Sequence, residues 1–342
     1  MRENLPSVGK GYTTRMAVIE DLPRITALVN KTSQHFLGVD ETNLDRLRNE
    51  WQTPGFDPHH NAHVVLSPAQ RIVGAVEVWD ITTPPVHPFA WMAVDPQLED
   101  ADHVRETLLQ WAEERARQVL PRVEPELRVS IRFWTYHENS FTAALLEEHG
   151  FELARHSFRM RYEISGLPPV PDFPDGITVR RFNPDQDAED VYRVDDEVFQ
   201  DHFGYIEEPF EEGFLRFMHH MTGHDAYDPD LWFIAQEEDE IVGICLCRKW
   251  NVEDRDAGYI SSLGVRRPWR RRGIALALLY HAFGEFHRRG KDKVDLGVDA
   301  ENLTGAMGLY YKAGMVIHRQ YDMYEKELRP GKEISVTGVN TT

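Results

Sequence analysis

The chain has 342 residues, a length that at ordinary domain sizes suggests two domains. Apolar residues make up 41% and charged residues 28%, the balance of a globular protein, and no run approaches the ~20 apolar residues that a membrane-spanning helix needs. The net charge of −19 argues against a general binder of DNA or RNA, because phosphate repulsion opposes association.

The N-terminal residues carry no export signal. Residues 1–6 read MRENLP and lack the apolar core of a secretory signal peptide. The two cysteines, Cys245 and Cys247, cannot build a disulfide framework, which is typical of a reducing compartment. We therefore expect a cytoplasmic protein without a membrane partner.

Four short segments of the first half recur in the second half, in the same order. The pairs are residues 71–75 and 240–244, 91–94 and 262–265, 148–151 and 312–315, and 158–163 and 321–326. Four collinear matches indicate two copies of one fold. A segment rich in Pro and Gly, 166–176, lies between the copies and is typical of a linker. The sequence thus predicts an N-terminal domain over 1–165, a C-terminal domain over 177–328 and a flexible polar tail over 329–342.

Both copies have the same predicted order of elements. A β-rich start leads into a helix, then into strands around an Ile-Val-Gly turn, then into another strand and a long helix. A strand, a short helix and a strand complete each copy. The long helix of the second copy is predicted to bury one face that carries Ile274, Leu278, Phe283 and Phe286. The first helix is predicted over 21–30 and 188–199, and the strands around the turn over 64–79 and 232–250. This order predicts an α+β protein with two tandem domains, each a mixed β-sheet with helices.

A basic turn precedes the long helix of the second copy. The strand 259–265 leads through Arg266-Arg267-Pro268-Trp269 into Arg270-Arg271-Arg272-Gly273-Ile274-Ala275. A helix N-terminus presents unpaired N–H groups and a positive dipole end, so it attracts phosphate. Gly273 permits a tight turn and close approach of a ligand, and arginines supply forked donors. Most charge runs are solvated surface, but this setting favours a site for a small phosphate-bearing ligand.

The pattern Arg-x-x-Gly-x-Ala after a Leu-x-Val strand resembles the acetyl-CoA-binding motif of the GNAT superfamily of N-acetyltransferases. It has neither the ending of a P-loop nor the glycines of a dinucleotide turn. The resemblance implies that backbone groups of Leu263, Gly264 and Val265 pair with the pantetheine arm. It also implies that the turn cradles the pyrophosphate. The implied residues of the turn are Arg270, Arg271, Arg272, Gly273, Ile274 and Ala275.

A second motif lies downstream. Asn302, Ala306 and Tyr310 recur at four-residue spacing along one flank of a predicted helix, with Asn302 suited to its N-cap. The segment resembles the signature Asn-x-x-x-Ala-x-x-Leu-Tyr-x-x-x-Gly-Phe of the same family, with Met315 in place of Phe. The resemblance implies that Asn302 contacts the pantetheine and that Tyr310 protonates the leaving thiolate. A packed core tyrosine is the alternative interpretation. The resemblance also implies that the segment 201–206 shapes the acceptor pocket, and a packed loop is the alternative interpretation of that segment.

The first copy lacks both motifs. Acidic residues occupy 95–102, where the basic turn would be, and alignment on Gly150 places Leu146 where the second copy has Tyr310. We infer that this copy is a structural partner, a wall of the acceptor site or a weak CoA binder without activity. The tandem layout with one degenerate copy is similar to that of the mycothiol synthases.

The sequence therefore predicts an N-acetyltransferase that uses acetyl-CoA as co-substrate and transfers its acyl group directly to an amine, without a metal. No nucleophilic Cys or Ser–His set appears, and no His or Cys cluster completes a metal site. The acceptor is predicted to be a small-molecule or peptide amine, with no nucleic-acid partner. The alternative is a non-catalytic module that senses CoA or another nucleotide. No general base is assigned, because residues 259–262 contain no carboxylate and Glu197, Asp254 and Asp256 are typical surface charges.

Overall fold

The computed structural model describes residues 11–302 and 305–338. These residues form two compact units. The first unit consists of residues 11–156 and 321–334, and the second of residues 157–302, 305–320 and 335–338. Each unit thus takes most of its residues from one half of the chain and a short segment from the other half.

The first unit is a mixed sheet with helices. Its sheet order is β1-β2-β3-β4-β5, antiparallel except for the parallel pair β4–β5. The strand β6 begins in this unit and ends in the second one. The elements are β1 (Thr13–Met16), α1 (Leu22–Leu37), α2 (Leu44–Trp51), α3 (Pro58–Asn61), β2 (Ala62–Leu66), β3 (Ile72–Trp79), β4 (Phe89–Val94), α4 (Ala101–Arg117), β5 (Val129–Tyr136), α5 (Ser140–Glu148) and β6 (Glu152–Glu163).

The second unit repeats this plan. Its sheet runs β11-β10-β9-β8-β7, again antiparallel except for one parallel pair, β10–β11. The strand β12 begins in this unit and ends in the first one. The elements are β7 (Ile177–Arg181), α6 (Pro184–Phe199), α7 (Phe210–Thr222), β8 (Trp232–Glu237), β9 (Glu240–Arg248), β10 (Ala257–Val265), α8 (Ile274–Arg288), β11 (Lys293–Asp299), α9 (Ala306–Lys312) and β12 (Val316–Arg329).

Helices cover both faces of the second sheet. Along β8 and β9, successive side chains enter different cores: Ile234 and Ile244 pack with α6, whereas Phe233 and Cys245 pack with α8. The predicted apolar face of α8 is buried, with Leu278, Phe283 and Phe286 at 0% exposure. The predicted α+β class is confirmed. Within the described residues, no helix is long and apolar enough to cross a bilayer.

The two units exchange their last strands. Residues 157–163 of β6 pair with β11 in the second unit, and residues 321–329 of β12 pair with β5 in the first unit. Each exchanged segment has a charged partner on its host strand: Arg161 contacts Asp295 at 2.7 and 2.8 Å, and Glu325 contacts Arg132 at 2.8 Å. These pairs tie each segment to one register, because a slip of one residue would move the charge to the other face.

The exchange makes the units differ from the contiguous domains expected from the linker. Residues 166–176 contain no helix or strand, and they belong to the second unit. Part of the tail, which the sequence predicts to be flexible, is hydrogen-bonded. Lys332 exchanges backbone hydrogen bonds with Glu126 and Arg128, and Val336 does so with Gly204 and Tyr205. Residues 339–342 lie outside the described part of the chain.

Candidate active site

A cleft of about 460 Å³ opens in the second unit, where β10, α8 and α9 lie near α6. All the site residues predicted from the sequence line it except Arg272 and Asn302. The predicted residues in its lining are Leu263, Gly264, Val265, Arg270, Arg271, Gly273, Ile274, Ala275 and Tyr310. Segments distant in sequence therefore meet in one cavity.

The strand β10 separates from β11 at this cleft. Its pairing with β11 runs from Ala257 to Ile260, whereas its pairing with β9 continues to Val265. A register shift between Ile260 and Ser262 marks the point of separation, as expected for a β-bulge, which bends a strand and re-aims its groups. Residues 261–265 thus have β9 on one side and no paired strand on the other, within the described residues.

The turn before α8 adopts left-handed backbone conformations. Arg271 has φ of 66° and Gly273 has φ of 91°. Left-handed residues in a tight turn direct successive N–H groups into a concavity that suits an anion. The first N–H groups of α8, which follow this turn directly, have no acceptor within the helix and are available to the same anion. Glycine meets this need at position 273 without strain.

The basic run is largely neutralised by carboxylates. Arg266 pairs with Glu197 and Glu240, Arg267 and Arg270 with Asp201, and Arg272 with Glu237. Among the described residues, Arg271 is the arginine of 266–272 with no ion pair, and its exposed side chain lines the cleft. The expected cluster of available cations is therefore reduced to Arg271 at the turn.

Tyr310 of α9 is 8% exposed and lines the cleft. Burial, with smaller contributions from Cys245 and Tyr259, raises the pKa of the Tyr310 phenol well above its ordinary value. The hydroxyl has no hydrogen-bond partner among the described residues. It therefore stays protonated at neutral pH and can donate to a ligand in the cleft.

The start of α9 differs from the prediction. The helix begins at Ala306, and Gly305, with φ of 78°, occupies the N-cap position expected for Asn302. Asn302 precedes the helix, and its Oδ1 accepts a hydrogen bond from the Ala306 N–H at 3.4 Å. A left-handed glycine ends the loop here, so Asn302 does not share a helical flank with Tyr310. Residues 303–304 of the signature lie outside the described residues.

Comparisons with known proteins agree on a family. The sequence model of the acetyltransferase (GNAT) family matches residues 190–315. A solved GCN5-related N-acetyltransferase from Sphaerobacter thermophilus is 32% identical, covers 97% of this chain and all of that chain, and superposes with a TM-score of 0.78. The chain belongs to the GNAT family of acetyltransferases. The predicted acyltransferase activity is thereby confirmed at the level of the family.

The chain is also similar to mycothiol acetyltransferases and to a tandem GNAT protein. The mycothiol acetyltransferase of Streptomyces avermitilis is 28% identical over 78% of this chain and 80% of that protein. The match to the mycothiol acetyltransferase of Streptomyces coelicolor, 29% identical, spans 58% of this chain and 62% of that protein. A tandem GNAT protein from the clavulanic acid biosynthesis pathway, 12% identical with a TM-score of 0.65, shares the fold. The predicted tandem GNAT architecture is confirmed.

The GNAT family match falls in the second unit, and the first unit lacks its motifs. At the end of β4, Asp95 forms an ion pair with Lys31 at 2.7 Å where the second unit has its basic turn. Leu146, at Tyr310's place, is fully buried among apolar side chains. The side chains at these two positions therefore offer neither a hydrogen bond to a phosphate nor a proton for a leaving thiolate.

Sequence reasoning missed several residues on the α6 side of the GNAT cleft. Val198 lines the cleft, and a Cβ on Gly264 would lie 2.3 Å from its side chain, so helix and strand can approach only at a glycine. His202 also lines the cleft, and burial lowers its pKa. Only the expectation that 201–206 shapes the acceptor pocket pointed to this side. Asp195 of α6 accepts a hydrogen bond from Ser262 of β10, and nothing in the sequence pointed to this contact between residues 67 positions apart.

Proposed function

We propose that the protein transfers an acetyl group from acetyl-CoA directly to the nitrogen of an amine. The pantetheine arm would lie along Leu263, Gly264 and Val265, and the pyrophosphate would lie in the turn before α8. The observation that supports this most strongly is the meeting, in one cleft, of an unpaired strand edge, an amide-lined turn and the protonated Tyr310.

Direct attack fits the composition of the cleft. Among the described residues, its lining contains no Ser, Thr or Cys that could carry an acyl group. The amine nitrogen would attack the thioester carbonyl carbon, and the C–S bond would break as the Tyr310 hydroxyl gives its proton to sulfur. A proton donor at the leaving group typically contributes about 10²–10⁴-fold to such a step.

Arg271 should contribute more to CoA affinity than its neighbour Arg272. Because Arg271 has no carboxylate partner among the described residues, R271A should weaken acetyl-CoA binding about five- to ten-fold, the effect of one exposed charge-assisted hydrogen bond. R272A is the matched control, since that guanidinium already pairs with Glu237 at 2.9 Å. Calorimetry measures both dissociation constants. Equal effects of the two substitutions would contradict the assignment of Arg271.

An amine screen tests the proposed function. Release of the CoA thiol is followed with acetyl-CoA and a panel of small-molecule and peptide amines, including the acceptor of the mycothiol acetyltransferases. We expect release that depends on both protein and amine, with the acetyl group recovered on nitrogen. Tight CoA binding without release from any amine would favour a CoA-sensing module instead, and absence of CoA binding would reject both functions.

A further inference from the structure

Asp195 of α6 contacts the strand that forms one side of the cleft. Its Oδ1 accepts a hydrogen bond from the hydroxyl of Ser262. Ser262 is buried in β10 and directly precedes Leu263 and Gly264. Asp195 and Val198 are three residues apart on α6 and so lie on the same side of the helix, and Val198 lines the cleft. The carboxylate thus lies behind the cleft wall, one hydroxyl away.

The surroundings of Asp195 differ from those of other aspartates in the second unit. Asp187 and Asp201 pair with arginines, which lower the pKa of each carboxyl. Among the described residues, Asp195 has no ion-pair partner. Its charged and titratable neighbours are Asp196 and Tyr192 on α6; the negative charge of Asp196 disfavours ionisation of Asp195, and Asp195 in turn raises the pKa of Tyr192.

Burial raises the pKa of Asp195 to about 7, the Ser262 hydrogen bond acts in the opposite direction, and Asp196 raises it further. A proton acceptor works best when its pKa lies near the working pH. Asp195 is therefore balanced between its two protonation states at neutral pH. A carboxylate held here only for structural reasons would gain nothing from a pKa near 7, because a half-buried carboxylate without an ion-pair partner costs stability.

The geometry points to Asp195 and Ser262 as the proton-accepting pair for the attacking amine, in the reaction proposed above. Ser262 does not itself line the cleft, but it adjoins the lining residues Leu263 and Gly264, and Asp195 would receive the amine's proton through the Ser262 hydroxyl. Tyr310 lies in the core shared with α8, whereas Ser262 and Gly264 face α6. Acid and proton acceptor would therefore act from opposite faces of β10.

His202 is the other titratable group on this side, and its position suits it less. The charged groups that act on it are Asp299, Asp201 and Arg270, which places it at the basic turn. Tyr310, by contrast, is influenced by Cys245 and Tyr259. Cys245 pairs in register with Leu263, the residue after Ser262. Ser262 is thus close to the level of the acid, and His202 is close to the phosphate end.

In the proposed reaction, protons pass from the amine to Asp195 and from Tyr310 to the sulfur. An ammonium gives one proton to the Ser262 oxygen while the Ser262 hydroxyl gives its own to Asp195. The neutral nitrogen forms the C–N bond, the C–S bond breaks, and Tyr310 protonates the sulfur. The nitrogen, still carrying one proton too many, returns it to the Tyr310 phenolate. Asp195 then releases its proton to solvent, so that an amide, the CoA thiol and one proton leave.

The test measures kcat/KM against pH for D195N, with the panel amine that gives the fastest thiol release as probe. D195N should lower kcat/KM about 100-fold at neutral pH and remove the limb that rises near pH 7. The dissociation constant for acetyl-CoA should stay within about two-fold. D190N is the matched control, because Asp190 lies on the exposed side of the same helix, where it pairs with Arg193.

S262A provides an independent arm if D195N does not fold. Loss of the hydroxyl removes the relay to Asp195, so kcat/KM should fall about as far as in D195N and the limb near pH 7 should be lost. A purely structural role would not remove the limb. Parent-like kcat/KM and an unchanged limb in D195N or S262A overturn the inference while leaving the proposed function intact. No thiol release by the parent protein with any amine would instead reject the proposed function.

Discussion

Replacing Tyr310 by Phe should lower kcat about 100-fold or more and leave the dissociation constant for acetyl-CoA within about two-fold. Phe has nearly the same volume as Tyr, and the Tyr310 side chain is only 8% exposed, so the substitution retains the packing against the core of the second unit. What is lost is a hydroxyl that burial keeps protonated at neutral pH. Steady-state thiol release gives kcat, and calorimetry gives the affinity.

Y311F is the control for this substitution. Tyr311 is the neighbouring residue on α9, but it is 51% exposed and points away from the core. Y311F should therefore leave both quantities near their parent values. A Y310F protein with parent turnover would remove Tyr310 from the acid role and restore its interpretation as a packed core tyrosine.

Gly273→Glu should weaken acetyl-CoA binding at least about 100-fold. The substitution brings a carboxylate to a turn that is proposed to receive a pyrophosphate. Two like charges about 4 Å apart near a protein surface repel by about 4 kcal/mol, and about 2.7 kcal/mol already corresponds to 100-fold. A non-glycine residue at a φ of 91° also costs about 1–2 kcal/mol, which disturbs the turn itself.

Gly290→Glu separates these two effects. Gly290 follows the other end of α8, has φ of 74°, and a Cβ there would meet no atom within 4 Å. Gly290→Glu should lower the free energy of unfolding about as much as Gly273→Glu does, without changing the affinity for acetyl-CoA. If both variants bind acetyl-CoA equally well, the turn is not the pyrophosphate site.

The sequence predicted local features of the site well. The period of apolar residues identified the buried face of α8, and Gly273 with its arginines identified the turn, because both patterns depend on neighbours in the chain. Whether the arginines are paired with carboxylates could not be predicted in this way. Asp201 and Glu237 reach them from other elements, so the run alone overstated the positive charge available to a ligand.

Long-range contacts account for the remaining differences. The repeat of 158–163 at 321–326 marked two equivalent strands, but nothing in either segment specified which sheet each would join. The hydrogen bond between Asp195 and Ser262 joins residues 67 positions apart. Helix α9 was predicted to start at Asn302, because Asn is a common N-cap, and the left-handed Gly305 was not recognised as the residue that delays it.

The exchanged strands give a reason for the chain to retain its first copy, although that copy lacks the GNAT motifs. A gene encoding only residues 177–328 would lack the segment 157–163 that hydrogen-bonds β11, the neighbour of the cleft-forming strand. It would also produce residues 321–328 without β5, their partner. Deletion of the first copy would therefore damage the sheet of the second copy. Each half of the chain therefore supplies a strand segment on which a sheet built mainly from the other half depends, so neither half can be lost alone.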